Sequence, residues 1–380
     1  MRILHTADLH LGRMFEGISL EADQAAILDQ IRAAVREHKT DVLVIAGDIF
    51  DRAVPPASAV RMFNSFLSRI VQETDAAIVM IAGNHDSADR IESMAILPDR
   101  ARVLVRGAVR ADEEPLILLD EAGPVAFSAL PFAYEHAAQE CFGDTNITTP
   151  HDVLAAQAVA ARETVPEGAR WVVLAHAFVA GGEVGDTERP LTRVGGIETV
   201  PSEVFSGAHY VALGHLHRPQ QVGAPHIRYS GAPLAYGFDE AGGQKSMTLV
   251  DLDGAGKVSI ETLPFRPIRD VRILRGKFTE LLQNPPSEDF IKVVLTDEAL
   301  VIDGMKRLRE VFPNACKLTY ERRDRATETK ALAARPSAVA DPVEVVNNFL
   351  SEVRGEGVSP PEVEILADAL RRIAKEEARQ

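Results

Sequence analysis

The sequence predicts an α/β protein in which two sheets pack into a sandwich flanked by helices, and three observations support this prediction. Apolar, strand-like runs alternate with helix-like segments from residue 1 to about 180. From about residue 205 to 265 the pattern changes to short strands with turn signals, which predicts a second sheet packed on the first. Polar residues end five of the strand-like runs, where an open α/β sheet presents its chemistry.

The helices of this core are visible in the spacing of apolar residues. In segments 20–38 and 57–73 apolar side chains recur at helical spacing, so each predicts an amphipathic helix that covers a sheet. Further along, KSMTLVDLDGAGKVSIETLPF predicts a hairpin with its turn at GAG, which we assign to the second sheet.

A smaller module follows the core. Pro264 and Pro267 mark a boundary, after which the pattern predicts strand, helix, strand, helix and strand up to residue 322. The polar, alanine-rich stretch that comes next has no clear period and is typical of a linker. The predicted domains are a core at 1–266, a small α/β capping domain at 267–324, a linker at 325–336 and a helical hairpin at 337–380.

The hairpin prediction rests on two helix start signals. The segments 341–344 and 359–362 each combine an N-cap residue, a proline in the first turn and a capping-box glutamate. Apolar residues follow each signal at helical spacing. A hairpin this short has little core of its own, so it docks either on the chain's own body or on a partner protein.

Composition indicates a soluble globular protein. At 380 residues, 46% hydrophobic and 26% charged, the chain is large enough for more than one domain. No apolar stretch approaches the roughly 20 residues that cross a bilayer, and Met1 leads straight into a strand-like run, so we expect neither a membrane partner nor a signal peptide. Only Cys141 and Cys316 are present, which suits a reducing cytoplasm.

The net charge limits the mode of nucleic-acid binding. A formal charge of −15 argues against nonspecific attraction through the overall field. Two bound divalent cations would still draw in an anionic phosphodiester, because their four positive charges outweigh two carboxylates. Arg90, Arg100 and Arg102 belong to an arginine-rich stretch that is either a solvated surface or a surface that follows phosphates, and we take them as candidate phosphodiester contacts.

Seven potential metal ligands sit where apolar strand-like runs end: Asp8, His10, Asp48, Asn84, His176, His215 and His217. In DLH and HLH the two ligands are two residues apart, so in extended backbone they point the same way. Glycines precede Asp48, Asn84 and His215, where a sharp turn or a close backbone approach is needed. Taken singly such residues are usually structural, but the ordered set predicts a buried dinuclear metal centre.

The donor types indicate the chemistry. Two carboxylates, one amide and four imidazoles without a thiolate favour manganese, iron or zinc. Asp48 follows an apolar strand, where an unpaired carboxylate is costly, and its two oxygens can bridge two ions. Two ions about 3.5 to 4 Å apart can activate water and polarise a phosphoryl oxygen, which predicts hydrolysis of a phosphoester.

His85 and Asp86 are the candidate catalytic residues outside this ligand set. His85 is not needed to complete either coordination shell, so we assign it to the leaving group as proton donor or charge stabiliser, with a structural role as the alternative. Asp86 would then orient His85 or cap the following helix. The sequence contains no nucleophile elbow, P-loop or dinucleotide fingerprint.

The order DLH, GDIFD, GNHD, a lone AHA histidine and GHLH resembles the calcineurin-like metallophosphoesterase superfamily, and ILHTADLHLGR with GDIFDRAVPP looks like the bacterial SbcD nuclease subunits. The resemblance covers the whole chain. It implies that His85 is the catalytic histidine, whereas Asp51 stands where archaeal relatives tend to have histidine, which leaves its role open. By motif position, one metal would be held by Asp8, His10, Asp48 and His217, and the other by Asp48, Asn84, His176 and His215.

The resemblance also implies an activity and partners. The activity is manganese-dependent cleavage of DNA, exonucleolytic at duplex ends and endonucleolytic on single strands and hairpins, in DNA replication, repair and recombination. The partner is an SbcC-type, SMC-like ATPase that gates cleavage with ATP and whose coiled-coil base the hairpin 337–380 would grip, in a heterotetramer. Family members also form homodimers through helices near the active site, and the apolar faces of 20–38 and 57–73 are candidates for that surface or for packing on the sheet.

Two rival functions stay open at this stage. A phosphomonoesterase or cyclic-nucleotide phosphodiesterase can use the same core, although the capping domain and hairpin favour the nuclease. GNHD rather than GNHE argues against a protein serine/threonine phosphatase. A metal-free interaction scaffold belongs to a different class, and the intact set of seven ligands argues against it.

Overall fold

The computed structural model describes residues 1–96, 102–186, 188, 192, 193, 196, 197, 199–321, 359, 362 and 365. The chain forms two compact units, one of Met1–Val294 with Val301–Leu318 and the other of Leu295–Leu300 with Thr319–Gln380. The predicted linker lies outside the described residues, as does the predicted hairpin apart from residues 359, 362 and 365. The predicted domain boundaries therefore stay predictions.

The two helices predicted at 20–38 and 57–73 begin and end close to the predicted positions, and side chains cap the starts of two other helices. Before Pro150, for example, the Thr149 hydroxyl accepts from the Asp152 N–H and the Asp152 carboxylate accepts from the Thr149 N–H. The α-helices are α1 Glu21–Glu37, α2 Ala57–Glu73, α3 Ala88–Glu92, α4 Glu135–Phe142, α5 Pro150–Thr164, α6 Phe278–Leu281 and α7 Gly304–Val311. In the described parts of the chain, no helix is long and apolar enough to cross a membrane.

The strands, in chain order, are β1 Arg2–Thr6, β2 Met14–Phe15, β3 Ile18–Ser19, β4 Val42–Ala46, β5 Ala77–Ile81, β6 Val103–Arg106, β7 Leu116–Asp120, β8 Gly123–Leu130, β9 Arg170–His176, β10 Thr192–Arg193, β11 Gly196–Ile197, β12 Tyr210–Gly214, β13 Gln220–Val222, β14 Ala224–Tyr229, β15 Ser246–Leu252, β16 Val258–Pro264, β17 Val271–Gly276, β18 Phe290–Leu295 and β19 Ala315–Tyr320. Among the described residues, two six-stranded sheets have the orders β16-β15-β1-β4-β5-β6 and β13-β14-β12-β9-β8-β7. Their central strands run parallel, whereas β7, β13, β15 and β16 are antiparallel to their neighbours.

The two sheets pack face to face. Successive residues of a strand point to opposite faces, so each sheet has an inner and an outer face. The inner faces meet in one apolar cluster, which includes Ile3 and Val44 from the first sheet and Val172 from the second. The outer face of the first sheet packs on α1 and α2, and that of the second packs on α5. The predicted α/β/β/α sandwich is therefore confirmed. Parallel strands covered on both faces explain why β4, β5, β9 and β12 are buried throughout.

The assignment of the predicted hairpin to the second sheet was wrong. Its two strands, β15 and β16, lie in the first sheet, where Val250 of β15 pairs antiparallel with Ile3 of β1. The hairpin pattern identifies strands that pair with each other but carries no information about the sheet that receives them. The second sheet is built instead from strands between Leu116 and Tyr229.

The two amphipathic helices use their apolar faces inside this fold. Ile31 of α1 and Phe63 of α2 are fully buried and belong to the cluster that covers the first sheet. Of the two roles considered for these faces, the structure therefore supports packing on the sheet, and the dimer surface stays a prediction.

The small module after Pro267 contains the predicted elements in the predicted order, and β17, β18 and β19 form a three-stranded sheet. Arg269, at its start, forms a partly buried ion pair with Asp23 of α1. Phe290 also packs on Phe15, with ring centroids 4.7 Å apart. In the tail, the Glu362 carboxylate accepts the Ser359 N–H at 2.8 Å, which is half of the predicted capping box.

Candidate metal centre

The seven predicted ligands all lie at the carboxyl ends of parallel strands. Asp8 and His10 follow β1, Asp48 follows β4, and Asn84 follows β5. In the second sheet His176 is the last residue of β9, and His215 and His217 follow β12. Because parallel strands end at the same edge of a sheet, both sheets deliver polar side chains to one edge of the sandwich.

The first group of converging atoms contains two imidazoles and a carboxylate. Nε2 of His10 lies 3.2 Å from Nε2 of His217 and 3.6 Å from Oδ2 of Asp48. We call His10, His217 and Oδ2 of Asp48 the His10 set, and the resemblance described above assigns Asp8 to the same ion. Two imidazole nitrogens that face each other beside a carboxylate oxygen form a suitable environment for a divalent cation.

The second group faces the other oxygen of Asp48. Nε2 of His176 lies 3.6 Å from Oδ1 of Asp48, and Oδ1 of Asn84 lies 3.0 Å from the same imidazole nitrogen and 2.9 Å from Nδ1 of His215. We call Asn84, His176, His215 and Oδ1 of Asp48 the His176 set. The two oxygens of Asp48 thus belong to different sets, which is the arrangement expected of a bridging carboxylate.

Asp8 provides the test of whether the site fits a cation. Its Oδ1 accepts the His215 N–H at 2.9 Å, but its Oδ2 is buried and has no hydrogen-bond partner among the described residues. Burial, together with the charge of Asp48, raises the pKa of Asp8 well above its usual value. Oxygen or nitrogen atoms of Asp8, Asp48 and His176 lie within 4.8 Å of one another, so a cation placed there would satisfy the buried oxygen. The residues therefore fit a dinuclear divalent metal site.

The imidazoles are prepared for metal binding. Burial lowers the pKa values of His10, His176 and His215, which keeps these rings neutral. Nδ1 of His176 lies 2.9 Å from the carbonyl oxygen of Ala46, to which it donates its proton. Nε2 of His176 then carries the lone pair that faces Asp48 and Asn84, the form that binds a metal.

The ligand-bearing turns have an uncommon backbone conformation. Asp8, His10 and Asp48 have φ angles of 53°, 43° and 49°, and His215 has 106°. Such values are rare outside glycine and cost on the order of 1 to 3 kcal/mol each. The turns after β1 and β4 support each other, because Asp8 N–H donates to Gly47 O and His10 N–H donates to Asp48 O, both at 3.0 Å.

All three predicted glycines are required by close approach, and a Cβ atom on Gly214 would lie 1.8 Å from the carbonyl oxygen of Ala46. A Cβ atom on Gly47, whose φ is 89°, would press into the imidazole of His176. A Cβ atom on Gly83 would collide with Oδ1 of Asp48 and lie 2.7 Å from Cε1 of His176. Any side chain at these positions would therefore displace the ligands, which confirms the prediction of a close backbone approach.

His85 lies beside the two sets. Its backbone N–H donates to Oδ1 of Asp48 at 2.9 Å, and its ring centroid is 4.9 Å from that of His10. Nδ1 of His85 lies 2.9 Å from the backbone carbonyl oxygen of Asp51. Ligand atoms of His10, Asp51 and His85 lie within 4.8 Å of one another, so Asp51 is part of the same site.

Both expectations for Asp86 were wrong. Its carboxylate accepts the backbone N–H groups of Ile49, Phe50 and Gly83 at 2.8 to 3.0 Å, so it fastens the turn after β4 to the turn after β5. The following helix is capped by Ser87 instead. Burial, together with the charge of Asp48, raises the pKa of Asp86 to about 7. Asp86 is therefore a positioning residue for the turns that carry the ligands.

The three candidate arginines differ in their position relative to the metal ligands. Arg102 immediately precedes β6, which runs parallel to β5, so it lies at the amino ends of the strands and therefore at the edge opposite to the metal ligands. This placement argues against its role as a contact beside the scissile bond. Arg90 is on α3, four residues after the GNHD segment, and its buried Nε has no hydrogen-bond partner among the described residues. Arg100 lies outside the described residues.

Several buried polar residues near the site were missed by the sequence analysis. Glu188 accepts the backbone N–H of His217, and Oε1 of Glu240 lies 3.5 Å from Nδ1 of the same histidine. Lys245 pairs with Glu240 and donates to the carbonyl oxygen of His217 at 2.9 Å. Their positions outside the ligand motifs carry no local signal, since an isolated Glu or Lys is usually solvated.

Comparison with known proteins places this site in a family. Residues 1–219, more than half of the chain, match the family described as calcineurin-like phosphoesterase. The chain belongs to this family. Residues 264–354 match a second family, the type 5 capsule protein repressor C-terminal domain. The chain is also 30% identical over 360 residues to a Staphylococcus saprophyticus protein, the D subunit of the nuclease SbcCD, and the match covers 94% of both chains.

These matches confirm the predicted SbcD-type, calcineurin-like phosphoesterase and the predicted enzyme class, a metal-dependent nuclease hydrolase. Among solved structures, the protein TT1561 of Thermus thermophilus is similar to 69% of this chain and 98% of that chain, with 14% identity and a TM-score of 0.38. That likeness is too distant to support any argument about function.

Proposed function

We propose that the chain is the manganese-dependent nuclease subunit of a complex with an SbcC-type ATPase. It would cut DNA exonucleolytically at duplex ends and endonucleolytically on single strands and hairpins, in cytoplasmic DNA end processing, repair and recombination. The observation that carries the proposal is the division of the two oxygens of Asp48 between two separate donor sets. The nuclease name of the Staphylococcus relative supports DNA as the substrate.

The ligand assignment follows the two sets. The His10 set would hold one ion and the His176 set the other, with Asp48 bridging them. When bound, two divalent ions supply a nucleophile from water and polarise the phosphoryl oxygen. The mixed oxygen and nitrogen donors without a thiolate support manganese, with iron and zinc as the alternatives that a metal titration distinguishes.

His85 has the geometry of a proton donor to the leaving oxygen. Nδ1 donates its proton to the carbonyl oxygen of Asp51, so Nε2 carries a proton as well only in the imidazolium form of the ring. In that form Nε2 would donate its proton to the departing sugar oxygen and leave the neutral ring with Nδ1 still bonded to Asp51. The backbone N–H of the same residue donates to Asp48, which fixes the distance between the proton donor and the bridging carboxylate. A leaving alkoxide is a strong base, so protonation at this step contributes to the rate.

The ATPase contact is assigned to the hairpin at 337–380. Two observations support it: the second family match extends to residue 354, and the Staphylococcus relative is named as a subunit of a complex. In this proposal the chain forms a homodimer within a heterotetramer, and ATP bound to the partner controls access to the metal centre.

The experiment that tests the proposed activity compares three substrates. Purified chain with manganese is incubated with a labelled DNA hairpin, with p-nitrophenyl phosphate and with a cyclic nucleotide, beside the variant Asp48→Asn, which lacks one bridging oxygen. We expect the hairpin to be cut by the native chain and not by the variant. Hydrolysis of the small esters alone would instead support a phosphomonoesterase or cyclic-nucleotide phosphodiesterase. Neither metal binding nor hydrolysis would support the interaction scaffold, which holds no metal.

A further inference from the structure

We propose that the segment 236–245 is a positioning element for the His10 set, and that its buried Glu240–Lys245 pair controls how tightly that set binds a divalent cation. The inference rests on the ligand assignment given under the proposed function, but not on DNA as the substrate. Glu240 and Lys245 are both buried.

The first step concerns the imidazole of His217. Its Nε2 faces Nε2 of His10 at 3.2 Å, and its Nδ1 faces Oε1 of Glu240 at 3.5 Å. A carboxylate behind Nδ1 favours the tautomer that carries its proton there, so that Nε2 presents a lone pair. Glu240 thus acts on the site through His217, in the same way that the Ala46 carbonyl acts on His176.

The second step concerns the backbone of His217. Nζ of Lys245 donates to the carbonyl oxygen of His217 at 2.9 Å and pairs with Oε2 of Glu240. On the other side of the same residue, the Glu188 carboxylate accepts its N–H. Charged, buried side chains therefore hold both polar backbone groups of His217, which fixes the direction in which its imidazole leaves the chain.

The third step extends the element to His10. The hydroxyl of Tyr236 donates to the carbonyl oxygen of Leu9 at 2.6 Å, and its ring centroid lies 5.2 Å from that of His10 and 5.6 Å from that of His217. The Tyr236 N–H donates to Oε1 of Glu240 at 3.0 Å. This single segment therefore contacts the elements that carry both imidazoles of the His10 set.

The nature of the pair indicates a role beyond stability. Burying a glutamate and a lysine together carries a desolvation penalty that apolar residues of similar size avoid, so a buried ion pair is weak support for a purely stabilising role. In this protein the side chains of the pair contact the imidazole and the carbonyl oxygen of His217 and the backbone N–H of Tyr236. Orientation of the ligand accounts for the placement of both charges.

The test is a manganese titration of the full chain by isothermal calorimetry, without DNA. Glu240→Gln preserves the shape of the side chain but removes its charge. We expect the native chain to bind two ions, and the variant to bind one of them about 10- to 100-fold more weakly and the other as before. Glu113→Gln is the matched control, since Glu113 is also buried and paired, with Arg106 at 2.6 Å, and should leave both affinities unchanged.

Tyr236→Phe is the second variant, because it keeps the ring and removes only the hydroxyl that reaches Leu9. It should weaken the binding of the same ion. If circular dichroism shows that Glu240→Gln does not fold, Tyr236→Phe tests the inference in its place. Unchanged affinities in the folded variants, or equal weakening of both ions, would overturn the inference. A native chain that binds a single ion would instead refute the ligand assignment, so the two failures are distinguishable.

Discussion

Replacing His85 with alanine separates proton donation from metal binding. The imidazole contacts the Asp51 carbonyl oxygen, whereas the backbone N–H that donates to Oδ1 of Asp48 at 2.9 Å is retained in the variant. The bridging carboxylate therefore keeps its hydrogen bond. We expect His85→Ala to bind two manganese ions per chain and to cut DNA slowly.

The size of the effect depends on the leaving group. A positioned general acid contributes about 10²- to 10⁴-fold, which corresponds to about 3 to 5.5 kcal/mol of activation free energy. DNA cleavage expels a basic alkoxide and should lose this full factor. A p-nitrophenolate leaves without a proton, so hydrolysis of bis(p-nitrophenyl) phosphate should fall by less than about tenfold.

The assay measures single-turnover cleavage of a DNA hairpin and hydrolysis of the activated diester at saturating manganese, with metal stoichiometry determined by calorimetry. His151→Ala, which removes an exposed histidine of α5, is the matched control and should resemble the native chain. Equal losses on both substrates would refute proton donation to the leaving group. Loss of an ion would show that His85 is a ligand.

Three further predictions concern a glycine beside the ligands, a buried histidine and the C-terminal segment. In calorimetry Gly83→Ala should lose at least one manganese ion, because its methyl group collides with Asp48. The control Gly276→Ala meets only ordinary contacts and should bind both ions. Normal manganese binding by Gly83→Ala would contradict the close approach. Burial lowers the pKa of His5 to about 3, so its contribution to stability is complete above about pH 6.5 and is lost as the pH falls toward 3. Between pH 7 and 5 in chelator, the urea-unfolding free energy of the native chain should therefore fall by about 2 kcal/mol more than that of His5→Gln, and equal losses would contradict this. Deleting residues 337–380 should abolish copurification with an SbcC-type ATPase while the manganese-dependent activity remains, and retained copurification would refute the partner assignment.

The ligands could be predicted from the sequence because each has a local signal. A strand-like run ends at Asp8, at Asp48 and at His176, and a parallel sheet brings such ends to one edge. The periodicity of α1 and α2 likewise comes from side chains within each helix, so their bounds were predicted closely. His5, which lies outside the ligand motifs, is a core residue whose Nδ1 lies 2.8 Å from the Tyr210 hydroxyl.

The features that escaped prediction depend on contacts between distant segments. Asp86 bonds to Ile49, 37 residues earlier, and Glu188 bonds to His217, 29 residues later. A lone carboxylate has no periodicity that identifies its partner, so local rules assigned Asp86 to its neighbour His85. The pairing of β15 with β1 was missed for the same reason, because these strands lie at opposite ends of the core sequence and no local pattern links them.

The buried carboxylates around the metal centre divide into two kinds, and the division explains how strained turns persist at the edge of two sheets. Asp86 and Glu188 accept backbone N–H groups of the turns, which offsets the unfavourable φ angles of Asp48 and His215 nearby. Asp8 has only one oxygen occupied in this way, and the other is left for a cation. The turns are thus held by the protein's own hydrogen bonds, while the second oxygen of Asp8 fits a cation.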